Sequence, residues 1–190
     1  MKTPRGSAVV LHLEFGGDFL KAVLDQFGVE AWNGWLNALV ARVPPWWEEG
    51  EDQPPACPWF DADGIDLSGW DIRGLDLGLV TCERARFDGA RAAGALLGDV
   101  RHASFRGVDL RDATFIGDVT GAVFAAALLD GASFADAEYD ANAPPLGLPD
   151  ALLRQCDCQS HDERLGAESA VGLVEYPVSI RASLAESATR

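Results

Sequence analysis

The sequence predicts a mainly β solenoid, and three observations lead to that prediction. Large apolar residues recur every five positions from residue 65 onward, a period that fits neither an α-helix nor a β-strand. A second apolar residue stands two positions before each of them. Glycine recurs two positions after many of them, where its tolerance of positive φ permits a repeated turn. A chain that turns every five residues sends these apolar side chains toward one axis.

Composition fits one folded domain with an attached segment. The chain has 190 residues, of which 48% are hydrophobic and 24% charged, values that allow a buried core and argue against global disorder. Thirty acidic and 15 basic residues give a formal net charge of −15. Such a surface repels phosphate groups, so neither nucleic acid nor anionic membranes are expected to bind directly. No apolar run is long enough to predict a transmembrane helix.

The N-terminal region lacks the five-residue rhythm and predicts a cap. Alternating apolar residues over Val9–Phe15 predict a strand. Asp18 is a candidate N-cap for a helix that Gly28 ends. A second helix is expected from Glu30 to about Val43, before a Pro-Pro pair stops it. A strand and two helices would cover one end of the solenoid, which otherwise exposes apolar interior and strand edges.

An acidic, proline-containing linker over residues 46–60 begins with Trp46 and Trp47. Adjacent aromatic side chains cannot both face one core from a helix or a strand. Either one of them packs on the cap while its neighbour stays half exposed, or the pair forms a partner-binding hot spot, where tryptophan is enriched. Partner binding by Trp46 and Trp47 is therefore one of two interpretations.

The repeats fall into three phases. Seven centres run from Leu67 to Leu97, three from Phe105 to Phe115 and four from Phe124 to Tyr139, which makes 14. The rhythm slips at Val100–His102 and again at Gly117–Thr120, where we expect small bulges or loops. The large centres expected in the solenoid core are Leu67, Ile72, Leu77, Phe87, Leu97, Phe105, Leu110, Phe115, Phe124, Leu129, Phe134 and Tyr139.

Three of these repeats carry a family resemblance. Ile65-Asp66-Leu67-Ser68-Gly69, Ala103-Ser104-Phe105-Arg106-Gly107 and Val108-Asp109-Leu110-Arg111-Asp112 resemble the A-(D/N)-L-x-x pattern of pentapeptide repeat proteins. The resemblance covers about residues 61–141. It implies a right-handed quadrilateral β-helix with four five-residue sides per coil, so that 14 sides make about 3.5 coils.

Beyond Tyr139 the rhythm stops. Leu148–Cys156 predicts a short helix that would cover the second end of the solenoid, and in the resembled family such a helix often forms a homodimer. Residues 157–190 predict a polar tail with one apolar stretch, Val171–Ile180. The chain thus divides into residues 1–60 as cap and linker, residues 61–141 as solenoid, and residues 142–190 as helix and tail.

The strongest candidate for chemistry is a Cys-x-Cys-x-x-His cluster formed by Cys156, Cys158 and His161. Thiolate and imidazole groups are good metal ligands, but three ligands do not complete a tetrahedral site. Cys57 would complete it only if the fold brings both ends together. The alternative is an incidental pair of thiols. Without phosphate-binding loops, dinucleotide motifs or a catalytic triad, we expect no cofactor and no enzyme, with thiol or metal chemistry at this cluster as the exception.

Two functions from different classes remain. A capped solenoid without catalytic motifs suits a non-catalytic interaction module or scaffold that binds an unidentified protein. The family resemblance implies the alternative of an acidic DNA mimic that binds DNA gyrase and modulates it or protects it from inhibitors. Residues 61–140 carry 15 acidic and 7 basic side chains; carboxylates in rows would favour mimicry, whereas interleaved arginines would not. Four scattered cysteines and no signal-peptide pattern indicate the cytoplasm.

Overall fold

The computed structural model describes residues 16–40 and 60–159. The predicted strand Val9–Phe15 and the linker up to residue 59 lie outside these residues, whereas Phe60, expected in the linker, belongs to the first strand. In chain order the elements are α1 (Gly17–Val40), β1 (Phe60–Asp61), β2 (Asp76–Leu77), β3 (Val80–Thr81), β4 (Leu96–Leu97), β5 (Thr114–Phe115), β6 (Glu138–Asp140), α2 (Asp150–Leu153) and β7 (Asp157–Gln159).

Helix α1 consists of two helical segments joined at a glycine. Gly28 has φ 80° and ψ −179°, so the two predicted helices are present and meet where the sequence places the break. Gly16, and not Asp18, is the N-cap residue of α1, because the Gly16 carbonyl accepts the first helical hydrogen bond, from the N–H of Phe19, at 2.9 Å. Asp18 lies in the first turn, where its charge complements the helix dipole. The buried face of α1 is formed by Leu20, Leu24, Trp32 and Leu36.

Four parallel ladders define four sides of the solenoid, which the chain visits in the order 1, 2, 3, 4. Side 1 joins Asp66, Arg86, Ser104, Val123 and Leu146; side 2 joins Asp71, Arg91, Asp109 and Leu128; side 3 joins Asp76, Leu96, Thr114 and Ser133. Side 4 joins Asp61, Thr81, Asp99, Asp118, Glu138 and Asp157. Each rung therefore pairs with the next through backbone hydrogen bonds.

The two breaks in the rhythm are shortened sides rather than the bulges or loops expected there. Val100 and Val119 are 1% and 0% exposed and point inward as the centres of side 4. The Cys82 N–H donates to Asp99 O at 2.8 Å, and the Val100 N–H donates to Asp118 O at 2.9 Å. The ladder thus continues through both breaks, and the corner between sides 3 and 4 has lost residues instead.

The shortened corner between sides 3 and 4 requires glycine at position 117. The other repeat glycines, such as Gly69 and Gly107, have φ of 73° and 64°, as the sequence predicts for a turn. Gly117 does not share that conformation and serves close packing instead. A Cβ atom there would lie 2.7 Å from the carbonyl carbon of Gly98, so no larger residue fits without a shift of the backbone.

The interior contains two opposing columns of phenylalanine. On side 1, Phe105 stacks on Phe87 and Phe124, with ring centroids 4.8 and 5.1 Å apart; on side 3, Phe115 stacks on Phe134 at 4.3 Å. The columns meet edge to face across the axis at 5.5–5.7 Å. The remaining expected centres that are buried are Leu67, Ile72, Leu77, Leu97 and Leu110.

Two centres expected in the core, Leu129 and Tyr139, are only partly buried. Both lie in the last coil, and the interior beyond them is covered incompletely. Ala122 and Ala132, expected in the narrow interior beside them, are 0% and 7% exposed, whereas Ala127 on the same side as Leu129 is partly buried. The loss of burial is thus confined to the end of the solenoid.

Helix α1 covers the first coil and supplies hydrogen bonds to its side 3 edge. Asn33 Nδ2 donates to Gly74 O at 2.7 Å, and its Oδ1 accepts the Asp76 N–H at 2.9 Å. Trp32 Nε1 donates to Asp76 O at 2.7 Å. One asparagine side chain therefore replaces the backbone of a missing preceding rung, since an open strand edge presents both donors and acceptors.

At the second end the chain leaves the ladder and returns to it. Leu146 pairs on side 1, and α2 then replaces the strands of sides 2 and 3 before β7 resumes side 4. The predicted helix is present but short, covering Asp150–Leu153. Residues 157–159, expected in the polar tail, are instead the final rung, so solenoid pairing extends past the boundary at 141.

Candidate functional site: the acidic side of the solenoid

Aspartates before the repeat centres have a structural role in common. Each of them accepts the backbone N–H of the residue two positions later, at 2.8–3.3 Å; they are Asp61, Asp66, Asp76, Asp99, Asp109 and Asp118. Asp and Asn form such local bonds readily, which is why they favour turns. The repeated aspartate is therefore explained by the turn.

Sides 1 and 2 balance acidic against basic residues. On side 2, Asp71 contacts Arg73 and Arg91, each at 2.8 Å. Arg111 contacts Asp109 at 2.7 Å, and its hydrogen bond lowers the pKa of Asp109 to about 2. Side 1 is similar, with Arg86 at 3.4 Å from Asp66 and 3.7 Å from Asp88. These exposed pairs stabilise little, but with five arginines against six aspartates they leave a net charge of only −1 on these two sides together.

Side 4 is different, because carboxylates outnumber arginines by eight to two over its six rungs. We call this surface the acidic side. Its outward positions carry Asp61, Asp63, Glu83, Asp99, Asp118, Glu138, Asp140 and Asp157, against Arg101 and the corner residue Arg84. The uneven distribution of charge arises because the arginines of the solenoid lie mainly on sides 1 and 2.

The two arginines of the acidic side form ion pairs on its central rungs. Arg101 lies 3.0 Å from Asp99 and 3.5 Å from Glu83, and Arg84 lies 2.6 Å from Glu83. Burial raises the pKa of Asp99 above its usual value, although hydrogen bonds and charge from Arg101 oppose the shift. The basic residues therefore neutralise the central rungs, and the excess negative charge lies toward the two ends.

A network of hydrogen bonds holds the last three rungs of the acidic side, those of Asp118, Glu138 and Asp157. Asp118 accepts both the backbone N–H and the hydroxyl of Thr120. Thr120, which is 5% exposed, accepts the Asp140 N–H at 2.9 Å through its Oγ1. Gln159 Nε2 donates to Glu138 at 3.2 Å. These bonds fix carboxylates on successive rungs, so the surface is ordered before any partner binds.

Charge density separates this surface from a DNA duplex. Eight carboxylates and two arginines leave a net of about one negative charge per rung, and rungs stack about 4.8 Å apart. Double-stranded DNA carries one negative charge per roughly 1.7 Å of its axis. The acidic side therefore has about a third of the linear charge density of a duplex.

The cysteine cluster does not converge within the described residues. The half-buried Cys156 thiol lies 3.8 Å from Leu152 O, and burial raises its pKa to about 11. Cys158 is exposed and pairs in register with Tyr139, whose pKa is raised by a hydrogen bond with this thiol. In residues 16–40 and 60–159, no group of three His, Cys, Asp or Glu residues is placed to hold a metal ion. His161 lies outside these residues, so the metal hypothesis stays untested.

The partner-binding residues suggested by the sequence, Trp46 and Trp47, also lie outside the described residues. What the sequence reasoning missed is the acidic side itself, because Asp99 directly precedes the first break and Asp118 lies in the second. A signal was present: the tripeptide Gly-Asp-Val occurs at both breaks, leading into the first at Gly98–Val100 and opening the second at Gly117–Val119. Aligning these tripeptides would have restored the fourth side and shown its carboxylates in one column.

No helix in the part of the chain that the structure describes is both long and apolar enough to cross a membrane.

Comparison with solved structures finds pentapeptide repeat proteins. Rfr23 from the cyanobacterium Cyanothece 51142 is 18% identical, with a TM-score of 0.39 over 52% of this chain and 69% of that one. The protein alr5209 from Nostoc Pcc 7120 is 29% identical, with a TM-score of 0.30 over 52% and 84%. AT2G44920 from the Arabidopsis thaliana thylakoid lumen is 22% identical, with a TM-score of 0.21 over 48% and 70%. No family model and no curated protein matches. TM-scores this low carry no argument about function.

Proposed function

We propose that this pentapeptide repeat protein is a non-catalytic interaction module whose acidic side binds a basic surface of a partner protein. The family assignment depends on the chain's own five-residue register and its parallel ladders. The proposal adopts the right-handed, four-sided coil that the family resemblance implies. Because one fold hosts many functions, the proposal is argued from the surface and not from the fold.

One observation carries the proposal: carboxylates collect on side 4, whereas on sides 1 and 2 they are paired with arginines. A surface of one sign attracts partners of the opposite sign and raises association rates. The hydrogen bonds that the Asp118 and Asp140 carboxylates accept from Thr120 and Asn142 keep them in place, which lowers the entropic cost of binding.

The proposal is tested with two double variants that remove the same charge from different sides. Glu138→Gln with Asp157→Asn neutralises two rungs of the acidic side, and Asp71→Asn with Asp109→Asn does so on side 2. Each immobilised protein captures partners from nuclease-treated lysate of the source organism, and mass spectrometry identifies them. We expect a salt-sensitive partner that wild type and the side 2 variant retain and the side 4 variant loses. Equal capture by all three proteins would contradict the proposal.

A second candidate function is DNA mimicry toward DNA gyrase. The observation that favours it is the continuity of the acidic side, whose carboxylates follow each other over six rungs. The low charge density and the arginines at its centre place it second, because a duplex mimic needs a denser row of negative charge.

A supercoiling assay distinguishes this candidate from the first. If the chain is a mimic, adding it to purified gyrase and relaxed plasmid reduces supercoiling, and the double variant Glu138→Gln, Asp157→Asn restores activity. Supercoiling that is insensitive to the protein at concentrations well above that of gyrase would remove mimicry, while leaving the first proposal open to its own test.

A further inference from the structure

The last rung of side 2 presents an open strand edge. On every inner rung of this side, two N–H groups donate to the next rung: Leu110 donates to Leu128 O at 2.9 Å, and Asp112 donates to Asp130 O at 3.0 Å. The equivalent donors one rung later belong to Leu129 and Gly131. No hydrogen bond of either group is found among the residues the structure describes.

Among residues 60–159 nothing accepts these two donors of side 2, although α2 follows Leu146 at this end, whereas each of the other three sides has a partner above the same rung. Leu146 pairs above side 1, Gln155 Oε1 accepts the Phe134 N–H of side 3 at 3.0 Å, and β7 completes side 4. Beside the open edge, Leu128 is 52% exposed. An edge with unpaired donors and an exposed leucine is a template for an added strand.

We propose that this edge binds the chain's own segment Val171–Tyr176 as an added parallel strand. The described residues end at Gln159, on side 4, and in the winding order of the solenoid side 4 is followed by side 1 and then by side 2. Eleven residues separate Gln159 from Val171 and span up to about 36–40 Å when extended, which is ample for two sides. The inference is independent of the acidic side.

The sequence and connection of this segment suit the edge. Val171–Tyr176 is rich in β-branched, aliphatic and aromatic residues and ends before Pro177, as a strand ends where a backbone donor is missing. Because it belongs to the same chain, its effective concentration at the edge is on the order of millimolar. A separate protein or a second copy would have to compete with that advantage.

Amide hydrogen exchange of Leu129 and Gly131 tests the inference in the full-length chain. We expect both amides to exchange at least ten-fold more slowly than in a chain that ends at Gln159. Leu173→Pro should remove this protection, because proline interrupts strand pairing. The matched variant Leu165→Pro, outside the segment, should preserve it.

Each other result would overturn the inference. Equal exchange in the full-length and shortened chains would show that the segment does not cover the edge. Protection that persists in the shortened chain and grows with protein concentration would assign the edge to a second copy. Protection that appears only when lysate is added to the full-length chain would assign it to another protein.

Discussion

Each phenylalanine in the solenoid interior packs against other phenylalanine rings. Phe105 is 0% exposed and lies between Phe87 and Phe124, with the ring planes within 3° of parallel. Phe115 meets it edge to face at 5.7 Å. Aromatic pairs favour both geometries, and the two columns leave no room for a side chain of another shape.

Truncation of this column is therefore costly. We expect Phe105→Ala to lower the free energy of unfolding by about 3–5 kcal/mol, since it leaves a cavity among rings that cannot collapse inward. Phe27→Ala is the control, because Phe27 is 64% exposed and should change stability by less than about 0.5 kcal/mol. Urea unfolding of both variants measures the difference; similar losses would show that the column is not the main source of stability.

Two glycines should respond to alanine in opposite directions. Gly117→Ala places a methyl group against the Gly98 backbone, and we expect a loss of about 1–3 kcal/mol from overpacking. Gly34 lies in α1 with nothing within 4 Å of an added Cβ, so Gly34→Ala should stabilise the helix by about 0.5–1 kcal/mol. Thermal unfolding of the pair decides the matter; a neutral Gly117→Ala would mean that the corner can relax.

At the scale of elements, each end of the solenoid replaces a missing rung in its own way. Helix α1 uses the Asn33 side chain to bond both Gly74 O and the Asp76 N–H, whereas α2 interrupts the ladder and leaves the donors of Leu129 and Gly131 without an acceptor among the described residues. The Asn33 cap serves side 3 of the first coil, whereas on sides 1 and 2 no hydrogen bond of the Asp66 and Asp71 N–H groups is found among the described residues.

The cap at the first end can be tested with two asparagines on one helix. We expect Asn33→Ala to cost about 1–2 kcal/mol, because it removes two hydrogen bonds to the strand edge. Asn37→Ala is matched in composition and in helix propensity, and Asn37 is exposed, so this control should be neutral or slightly stabilising. If denaturant unfolding gives the same stability for both variants, the side chain of Asn33 does not act as an edge cap.

At the scale of the whole molecule, the distribution of charge makes stability depend on pH. The folded state lowers the pKa of Asp66, Asp71, Asp88 and Asp109 through hydrogen bonds and nearby arginines. A carboxyl whose folded pKa lies below its unfolded value stabilises the fold above the unfolded value and loses that contribution as pH falls. Asp76 and Asp99, whose pKa values burial raises, act in the opposite direction.

We therefore expect stability to fall as pH drops from about 4 to about 2, the window between the unfolded pKa of aspartate and the folded pKa of Asp109. Asp109→Asn should lower stability at pH 7 and reduce the difference between pH 7 and pH 2. Urea unfolding at both pH values measures this effect. An unchanged pH dependence in the variant would show that the Asp109–Arg111 pair does not contribute.

By itself the sequence determined the repeat and its inward residues. A period of five with paired apolar positions allows few arrangements other than a turning chain, because helix and strand periods would scatter those side chains. The break at Gly28 was also predictable, since a glycine between two apolar helical patterns ends a helix. These features depend on local spacing, and local spacing is what a sequence displays directly.

Only the tertiary structure decided which residues share a side. Asp99 and Asp118 look like parts of loops until the ladder shows that both breaks are shortened sides, and the acidic side follows from that register. The half-buried state of Leu129 likewise depends on where α2 leaves the ladder. Stacking brings together residues about 20 positions apart, and the loss of two residues at a corner changes the alignment of every later rung.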